Sequence, residues 1–303
     1  MKFLLLGGNG FIGRHLYKFI TKIYHKDDIY ILDRNFNNNI DADNQFLGDT
    51  TDSGLIEKAI KKSNPDFIFY MISNFKLNIE EGLEGIKSNA KNNINILSKF
   101  INSKTRIIFL GSSAQYGFVE KNQQPVKEIT ELSPVSNYGL LKVYEESVFR
   151  RFSDKLGLDI VYCRVFNVTG PMEPSRMIGG TIVSQLMKSN YLEIGNLFPK
   201  RDFLDVRDIA SALVLVGEKG ISSEAYNICS GQSISIDNYL KKIIKLMKLN
   251  PKIVSSESRK SKNDILDLVG DNTKIKRLGW VKNFSINKSI NDLILSYKGG
   301  YFD

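Results

Sequence analysis

Tyr138 and Lys142 stand four residues apart in the segment SNYGLLK, a spacing at which two side chains share one face of a helix. A lysine ammonium beside a tyrosine hydroxyl favours the phenolate through its charge. Such a tyrosine can give or take a proton near neutral pH, as hydride transfer to a carbonyl requires. Surface pairs show the same spacing, so other elements must bring a cofactor and a carbonyl to this helix.

Ser112 is the candidate third member of this group. It ends the apolar run RIIFLGS, at the carboxyl edge of a predicted strand, where ligands bind in open α/β folds. A hydroxyl at that edge can donate to a substrate carbonyl while Tyr138 delivers the proton. Ser113 is the competing choice, and the strand-end position favours Ser112.

A glycine-rich turn near the amino terminus predicts the cofactor site. Gly7, Gly10 and Gly13 form GGNGFIG between the apolar run KFLLL and a helical pattern. Glycines at this spacing allow a tight turn, close approach of the backbone to a pyrophosphate, and close packing of helix on strand. Asp33 ends the second predicted strand, where a carboxylate accepts the adenine ribose hydroxyls. Together these residues predict dinucleotide binding.

The choice of dinucleotide stays open at this point. Arg34 follows Asp33 directly and suits a 2′-phosphate, whereas Asp33 repels one, so the cofactor is NADP or NAD. Asp49, in FLGDTTD, either caps the adenine ring or belongs to a helix-capping turn.

The wider pattern predicts an α/β fold. Short apolar runs alternate with amphipathic helical patterns through the first half of the chain, which indicates a Rossmann-type doubly wound parallel sheet. We expect this dinucleotide-binding part to span residues 1–166. A smaller mixed α/β lobe for the substrate follows at 167–303, with part of 200–225 crossing back to the first part.

Composition narrows the class of protein. The 303 residues carry a net charge of +9, but the lysines are scattered, so we expect anionic small molecules and no nucleic acid as partners. Cys163 and Cys229 are too few for a disulfide framework, which favours a reducing compartment. No apolar run approaches the length of a membrane span, and MKFLLLGG leads into the glycine turn as a strand. We expect a cytoplasmic enzyme without a membrane segment or a metal ion.

The motifs in their order resemble those of the extended short-chain dehydrogenases/reductases that act on nucleotide sugars. The resemblance runs through nearly the whole chain, in GGNGFIG, LGD, SSAQYG, SNYGLLK, RVFNVTGP, KRDFLDVRDIA, YNICSG and LVGDNTKIKRLGW. Within that family, GNLFPKRDFLDVRDIASALVLV followed by EAYNICSGQSISI is most similar to the GDP-4-keto-6-deoxy-D-mannose reductases.

The resemblance implies a role for each matching residue. Ser112 and Tyr138 match the catalytic pair, and Lys142 matches the lysine that also holds the nicotinamide ribose. The implied cofactor residues are Gly7, Gly10, Phe11, Ile12, Asp33, Arg34, Asp49, Thr50, Tyr70, Met71, Ile72, Asn89, Tyr138 and Lys142. The implied substrate residues are Ser113, Ala114, Asn167, Ile194, Asn196, Arg201 and Arg259.

Two of the implied substrate residues carry a further argument. The guanidinium of Arg201 in KRDF suits bidentate binding of a diphosphate, and the alternative is a salt bridge to Asp202 or Asp205. Arg259 is a substitute for a family arginine whose matching position here is Ser261.

The absence of certain side chains reduces the number of reactions that the site could catalyse. Sugar dehydratases of this family need a carboxylate two residues before the tyrosine that corresponds to Tyr116 in SSAQYG, and Ala114 occupies that position here. Reductases that also epimerise commonly use a cysteine and a histidine. His15 and His25 fall in or just after the first predicted helix, and both cysteines fall in apolar contexts typical of buried packing.

A site for one hydride and one proton follows from these absences. Two reactions need no more: reduction of a 4-keto-6-deoxy nucleotide sugar, which we favour, or 4-epimerisation with trapped NAD. A non-catalytic dinucleotide-sensing regulator is the third alternative. The resemblance also implies a homodimer through the helix near 89–100 and the helix of Tyr138.

Overall fold

The computed structural model describes residues 1–38, 40–72, 79–101, 104–256 and 265–299. Its helices are α1 Phe11–Ile20, α2 Ser53–Ser63, α3 Ile79–Phe100, α4 Asn137–Leu156, α5 Ile178–Leu186, α6 Val206–Lys219, α7 Ile236–Met247, α8 Thr273–Arg277 and α9 Ile286–Tyr297. Its strands are β1 Phe3–Leu6, β2 Ile29–Asp33, β3 Gln45–Leu47, β4 Phe67–Tyr70, β5 Arg106–Ser112, β6 Asp159–Val165, β7 Asn167–Thr169, β8 Tyr191–Ile194, β9 Lys200–Asp205, β10 Ala225–Ile228, β11 Ser233–Ser235, β12 Lys252–Ser255 and β13 Asp267–Leu268.

A seven-stranded parallel sheet forms the larger layer, in the order β10-β6-β5-β4-β1-β2-β3. Strand β1 shows why it is buried on both sides: Phe3 and Leu5 join one apolar cluster with α1 and α6, and Leu4 and Leu6 join another with α2, α3 and α4. Such continuously apolar strands are typical of parallel sheets covered by helices on both faces. The predicted doubly wound fold is confirmed.

The order of the strands reverses between β1 and β4, which are neighbours in the sheet. Ligands of open α/β sheets bind at such a reversal, outside the carboxyl ends of the strands. Gly7 follows β1 and Met71 follows β4, and a Cβ on Gly7 would stand 3.3 Å from the Met71 carbonyl oxygen. The crevice at this point therefore brings the glycine turn and the end of β4 into contact.

The second half of the chain builds a smaller mixed layer. Strand β9 pairs with β7 and β13 in parallel and with β11 in antiparallel, while β8 pairs with β12. Helices α5, α7 and α9 enclose a separate apolar cluster with β8 and β9. Helix α6 instead packs on the large sheet, and strand β10 is an edge strand of that sheet. The division into residues 1–166 and 167–303 stays a prediction.

Helices α3 and α4 pack against one another on one side of the large sheet. The homodimer that the resemblance implies through these helices stays a prediction. Among the residues that the structure describes, no helix is long and apolar enough to cross a lipid bilayer.

Candidate active site

The glycine turn leaves the first turn of α1 open. Gly7 has φ +82°, and a Cβ on Gly13 would collide with the carbonyl oxygen of Gly8, so the helix can lie this close to the turn only with glycine there. Helix α1 has no side-chain cap and no acidic residue in its first turn, whereas Asp52 caps α2 and Ser136 caps α4. An uncapped helix start attracts an anion, which fits a pyrophosphate beside Phe11 and Ile12.

Asp33 lies at the end of β2, and hydrogen bonds from nearby main-chain N–H groups hold its carboxylate. One carboxylate oxygen accepts the main-chain N–H of Asn9 at 3.0 Å, and the other accepts that of Asn35 at 2.9 Å. Arg34 turns toward Asp49, with 3.9 Å between guanidinium and carboxylate, and both side chains are largely exposed. So weak an ion pair leaves Arg34 able to move.

Asp49 and Thr50 lie in the turn before α2. The Asp49 side chain accepts the N–H of Thr51 at 2.9 Å, while Asp52 provides the helix cap, and Thr50 is buried. Tyr70 is also buried, with its ring stacked on Phe109, so only its main chain can face the crevice. Asn89 lies in α3, but its side chain is outside the described part.

Ser112 sits where β5 turns into a short 3-10 segment. Its hydroxyl oxygen accepts the N–H of Ala114 at 3.2 Å, and its own N–H donates to Gln115 Oε1 at 2.8 Å. The two bonds hold the Ser112 side chain at the sheet edge. Because the oxygen serves as acceptor, its hydrogen is available to donate to a ligand. The neighbouring Ser113 is buried.

Helix α4 docks directly onto the Ser112 turn. Gly139, next to Tyr138, lies so close to the Ala114 carbonyl that a Cβ there would collide with it. Gln115 Nε2 lies 3.4 Å from the Lys142 carbonyl oxygen, which links the same turn to the next turn of the helix. The three residues predicted from the sequence are therefore carried by two segments in contact.

Lys142 is buried to a degree unusual for a lysine, with a side chain 2% exposed. Its ammonium donates to Glu145 Oε2 at 2.8 Å and to the Ile72 carbonyl oxygen at 3.1 Å. Burial alone would lower the pKa of Lys142, but the charge and hydrogen bond of Glu145, together with the nearby Tyr138, outweigh it and raise that pKa above its ordinary value. Lys142 therefore carries a positive charge at neutral pH, beside Tyr138 and at the crevice edge.

A second buried network supports the same helix. Glu146 accepts from Arg164 at 2.8 Å and from Gln115 Nε2 at 2.8 Å, and Arg150 donates to it as well. Burial would raise the pKa of Glu146, but the bonds and charge of Arg164 outweigh it and hold the pKa below its ordinary value. Because Gln115 also accepts from Ser112, this network fixes the Ser112 turn relative to α4.

The predicted substrate residues lie in two places: Ser113 and Ala114 are in the turn after β5, whereas Asn167, Ile194, Asn196 and Arg201 belong to the smaller layer. Asn167 Nδ2 lies 3.5 Å from the Asp202 carbonyl oxygen, which places it beside β9. Asn196 accepts the N–H of Phe198 at 3.1 Å in the loop after β8. Ile194 is buried in the apolar cluster of this layer, and its carbonyl oxygen accepts the N–H of Ser256 at 2.9 Å. Arg259 lies outside the described residues.

Arg201 is half-buried, and its guanidinium donates to the carbonyl oxygens of Lys200 at 2.8 Å and Ile265 at 2.5 Å. Of the two acids that the sequence offered as salt-bridge partners, Asp205 pairs with Arg207 and Asp202 accepts from Ser230. These two carbonyl oxygens orient the guanidinium, and a planar guanidinium suits bidentate binding of a diphosphate.

Three residues that hold the candidate site residues in place were not predicted from the sequence motifs. Glu145 pairs with Lys142, Gln115 orients Ser112, and Asp202 accepts from Ser230, Gly231 and Gly270, joining two loops beside Arg201. The i to i+3 spacing from Lys142 was the available signal for Glu145. Nothing local in the sequence links Asp202 to its distant loop partners.

The histidines and cysteines lie away from this site. His15 bonds the Pro171 carbonyl oxygen at 3.0 Å, and burial lowers its pKa to about 4. His25 is exposed beside Asp27. Both cysteines are buried, as predicted, and burial raises their pKa values. A cysteine–histidine acid–base pair does not form among the described residues.

A cofactor crevice at the strand reversal, with a tyrosine–lysine helix beside it, defines an NAD(P)-dependent oxidoreductase. Residues 3–229 match the NAD dependent epimerase/dehydratase family, and the chain belongs to that family. The chain is thus an NAD(P)-dependent enzyme, and the alternative of a non-catalytic regulator is set aside.

The curated relatives that are 24% identical to the chain include two GDP-sugar enzymes. One is the GDP-6-deoxy-D-mannose reductase of Pseudomonas aeruginosa, where the match spans 63% of this chain and 65% of that protein, slightly under two thirds of its length. The other is the GDP-6-deoxy-D-talose 4-dehydrogenase of Aggregatibacter actinomycetemcomitans, with 91% and 90% covered.

Two solved structures, each 20% identical, share the fold. One is RMD from Pseudomonas aeruginosa complexed with NADPH, with a TM-score of 0.85 and 99% of each chain covered. The other is the UDP-glucose 4-epimerase of Thermus thermophilus in complex with NAD, with a TM-score of 0.88, 99% of this chain and 100% of that chain covered.

Proposed function

We propose that the enzyme reduces a 4-keto-6-deoxy nucleotide sugar, most simply a GDP-linked one, at C4. The observation that carries this proposal is the contact between α4, with Tyr138 and the buried Lys142, and the Ser112 turn at the end of β5. This arrangement supports transfer of one proton next to the crevice where the cofactor would bind.

The proposed chemistry assigns one task to each group. Tyr138 donates its phenolic proton to the C4 oxygen as that oxygen gains negative charge. Ser112 donates its free hydroxyl hydrogen to the same oxygen and stabilises the developing charge. Lys142 stabilises the phenolate that Tyr138 leaves behind, through the charge that it keeps in a buried position.

The glycine turn, Asp33 and the ends of β1 and β4 fit a dinucleotide. Gly7, Gly10, Phe11 and Ile12 would hold its pyrophosphate at the open start of α1. NAD(P)H supplies the hydride when bound. Lys142 would also hold the nicotinamide ribose, because its ammonium has three donors and the described contacts use two.

The nucleotide sugar is proposed from the substrate side. Arg201 offers a guanidinium to a diphosphate, and Asn167 and Asn196 offer amide groups from the same layer. Two relatives are named as GDP-6-deoxy-sugar enzymes, which favours the GDP-linked sugar. Ala114 supplies no carboxylate for water elimination, which disfavours dehydration.

A 4-epimerase is the second candidate, because it needs the same three groups and the fold also matches a UDP-glucose 4-epimerase with NAD. The test offers the purified enzyme GDP- and UDP-linked 4-keto-6-deoxy sugars with NADH and NADPH. A reductase oxidises one cofactor per sugar consumed. An epimerase retains tightly bound NAD on purification and converts a 4-hydroxy nucleotide sugar to its epimer without added cofactor, and that outcome would overturn the reductase.

A further inference from the structure

The face of α4 that packs on the large sheet carries three charged residues. Lys142, Glu145 and Glu146 are all buried, at spacings of three and four that put them on one stripe with Phe149. Charged side chains are almost never buried without a partner. Each of the two carboxylates therefore needs an explanation.

Glu146 is explained by the arginines around it. Arg164 and Arg150 both donate to its carboxylate, so its charge is balanced without Lys142. Glu145 has a different environment, since its ionic partner among the described residues is Lys142, at 2.8 Å. The two neighbouring acids thus serve different cations.

The pair with Glu145 also determines where the Lys142 ammonium lies. Glu145 Oε2 and the Ile72 carbonyl oxygen take two of its three N–H donors, and the Phe109 ring centroid lies 5.4 Å away. Ile72 lies two residues after the end of β4, at the crevice. The remaining donor is the one free for a ligand at the crevice.

We propose that Glu145 is a positioning residue: its carboxylate keeps the buried Lys142 charged and directs the free N–H of the ammonium to the cofactor ribose, beside Tyr138. This inference rests on the proposed function only for its kinetic consequences. Without a carboxylate partner, desolvation would favour the neutral amine. A neutral amine stabilises no phenolate and gives the ribose a weaker hydrogen bond.

Other ionisable groups near the pair are few in the described part of the chain. Tyr138 lies one turn earlier on α4, and Tyr70 approaches from β4, where burial and then the charge of Glu145 raise the pKa of Tyr70. From α3, Lys87 lies 5.9 Å from the ring centroid of Tyr144, a neighbour of Glu145 on α4. None of these groups replaces the carboxylate that Lys142 would lose.

The first experiment needs neither substrate nor cofactor. Melting temperatures of the wild type, Glu145→Gln, Lys142→Met and the double variant are measured from about pH 6 to about pH 9, a range below the ordinary lysine pKa. In Glu145→Gln the folded-state pKa of Lys142 falls below its unfolded value, so folding excludes a proton. Stability of this variant then rises with pH, and its deficit against the wild type is largest at pH 6 and shrinks toward pH 9.

The double variant provides the matched control. Removing both charges leaves no unpaired ion buried at this position, so the double variant should melt above Glu145→Gln at pH 6. If Glu145→Gln does not fold, folding of the double variant supports the pairing. A deficit that does not change with pH, strictly additive effects, or a double variant that also fails to fold would each overturn the inference.

The second experiment measures NADPH and NADH binding by fluorescence titration over the same pH range. For Glu145→Gln we expect the dissociation constant to rise by about tenfold toward pH 9, as for the loss of a charged hydrogen bond, with a flat profile in the wild type. Glu145→Asp keeps the charge and should restore most of the affinity. Asp154→Asn removes an exposed carboxylate of α4 and should match the wild type. Parallel profiles for Glu145→Gln and the wild type would contradict the inference.

The kinetic test follows where a substrate is known. In Glu145→Gln the high-pH decline of kcat for reduction should begin at least one pH unit lower, which a merely structural role would not produce. If no keto sugar is turned over by the wild type, the proposed function fails while melting and cofactor binding still decide the role of Glu145.

Discussion

The cofactor side and the substrate side of the site are built differently. On the proposed cofactor side, Ser112 ends β5 and Lys142 lies within α4, so regular elements packed on a seven-stranded sheet hold the groups to which we assign the reaction. On the substrate side, Arg201 lies beside loops whose ends meet at one buried carboxylate, Asp202, which accepts from Ser230, Gly231 and Gly270.

This difference in construction suggests that the two sides affect different kinetic constants. Groups that transfer a proton must be held to within a fraction of an ångström, and helices and strands do this better than loops. Loops tolerate variation and commonly decide which ligand binds. We therefore expect substitutions on the cofactor side to change kcat and those on the substrate side to change KM.

Tyr138→Phe should have the largest effect. The variant keeps the ring but loses the proton, so kcat should fall by about 10²- to 10⁴-fold, the usual contribution of a general acid. The dissociation constant for NADPH should stay within about twofold, because the phenol contributes little to binding. Stopped-flow turnover and fluorescence titration measure the two quantities. Tyr144→Phe, on the same helix, is the control, and equal turnover in both variants would refute the role of Tyr138.

Arg201→Ala tests the substrate side. Loss of a charged hydrogen bond to a diphosphate should raise KM for the nucleotide sugar by about tenfold to a hundredfold, with kcat within about threefold. Lys200→Ala, at the exposed neighbouring position, should leave KM nearly unchanged. A fall in kcat without a change in KM would show that the substrate side is not limited to binding.

Glu173 tests whether the smaller layer, like the cofactor side, contains a buried ionisable group that affects stability. It is buried, accepts from the N–H groups of Gly179 and Gly180, and burial raises its pKa from about 4.5 to about 7. The folded protein holds the proton that the unfolded chain has already released, so stability falls as pH rises through this range, by roughly 2–3 kcal/mol.

Glu173→Gln should remove that loss. Denaturant unfolding of the wild type and the variant at pH 5 and pH 8 gives the difference in free energy of unfolding at each pH. From pH 5 to pH 8, the free energy of unfolding of the variant should increase relative to that of the wild type. Taking the difference between the two proteins cancels the titration of His15, whose pKa lies at about 4. An identical pH dependence in both proteins would show that Glu173 does not keep its proton in the folded protein.

The cysteines provide the smallest expected effect. Cys163 and Cys229 are buried, and burial raises their pKa values, so a thiol reagent should leave both unmodified and turnover unchanged in the folded enzyme. Mass spectrometry before and after denaturation reports the modification. Rapid labelling of Cys229 together with loss of turnover would reopen an acid–base role for a thiol.

Much of the cofactor side was predictable because its signals are local. The glycine spacing, the acid at a strand end, and the tyrosine four residues before a lysine are each recognisable within one short segment of the sequence. The doubly wound sheet follows from the alternation of apolar runs with helical patterns. Glu145 was equally local, three residues after Lys142, but a second acid at the next position obscured which cation each one meets.

The substrate side could not be predicted to the same depth. Asp202 joins its main-chain partners across 28 to 68 residues of sequence, and no pattern in one segment reveals such a contact. Ile194 matched a substrate position by resemblance, yet its side chain is buried in the apolar cluster and its carbonyl oxygen accepts the N–H of Ser256. Arg259 lies outside the described ranges, so its role stays a prediction.

The most direct test of the chemistry is an isotope experiment. The enzyme is incubated with a GDP-linked 4-keto-6-deoxy sugar and NADPH or NADH carrying deuterium at the transferable position, and the product is examined by NMR and mass spectrometry. We predict one deuterium at C4 of each product molecule and one oxidised cofactor for each sugar consumed. A product without deuterium, or sugar conversion without net cofactor oxidation, would contradict reduction at this site.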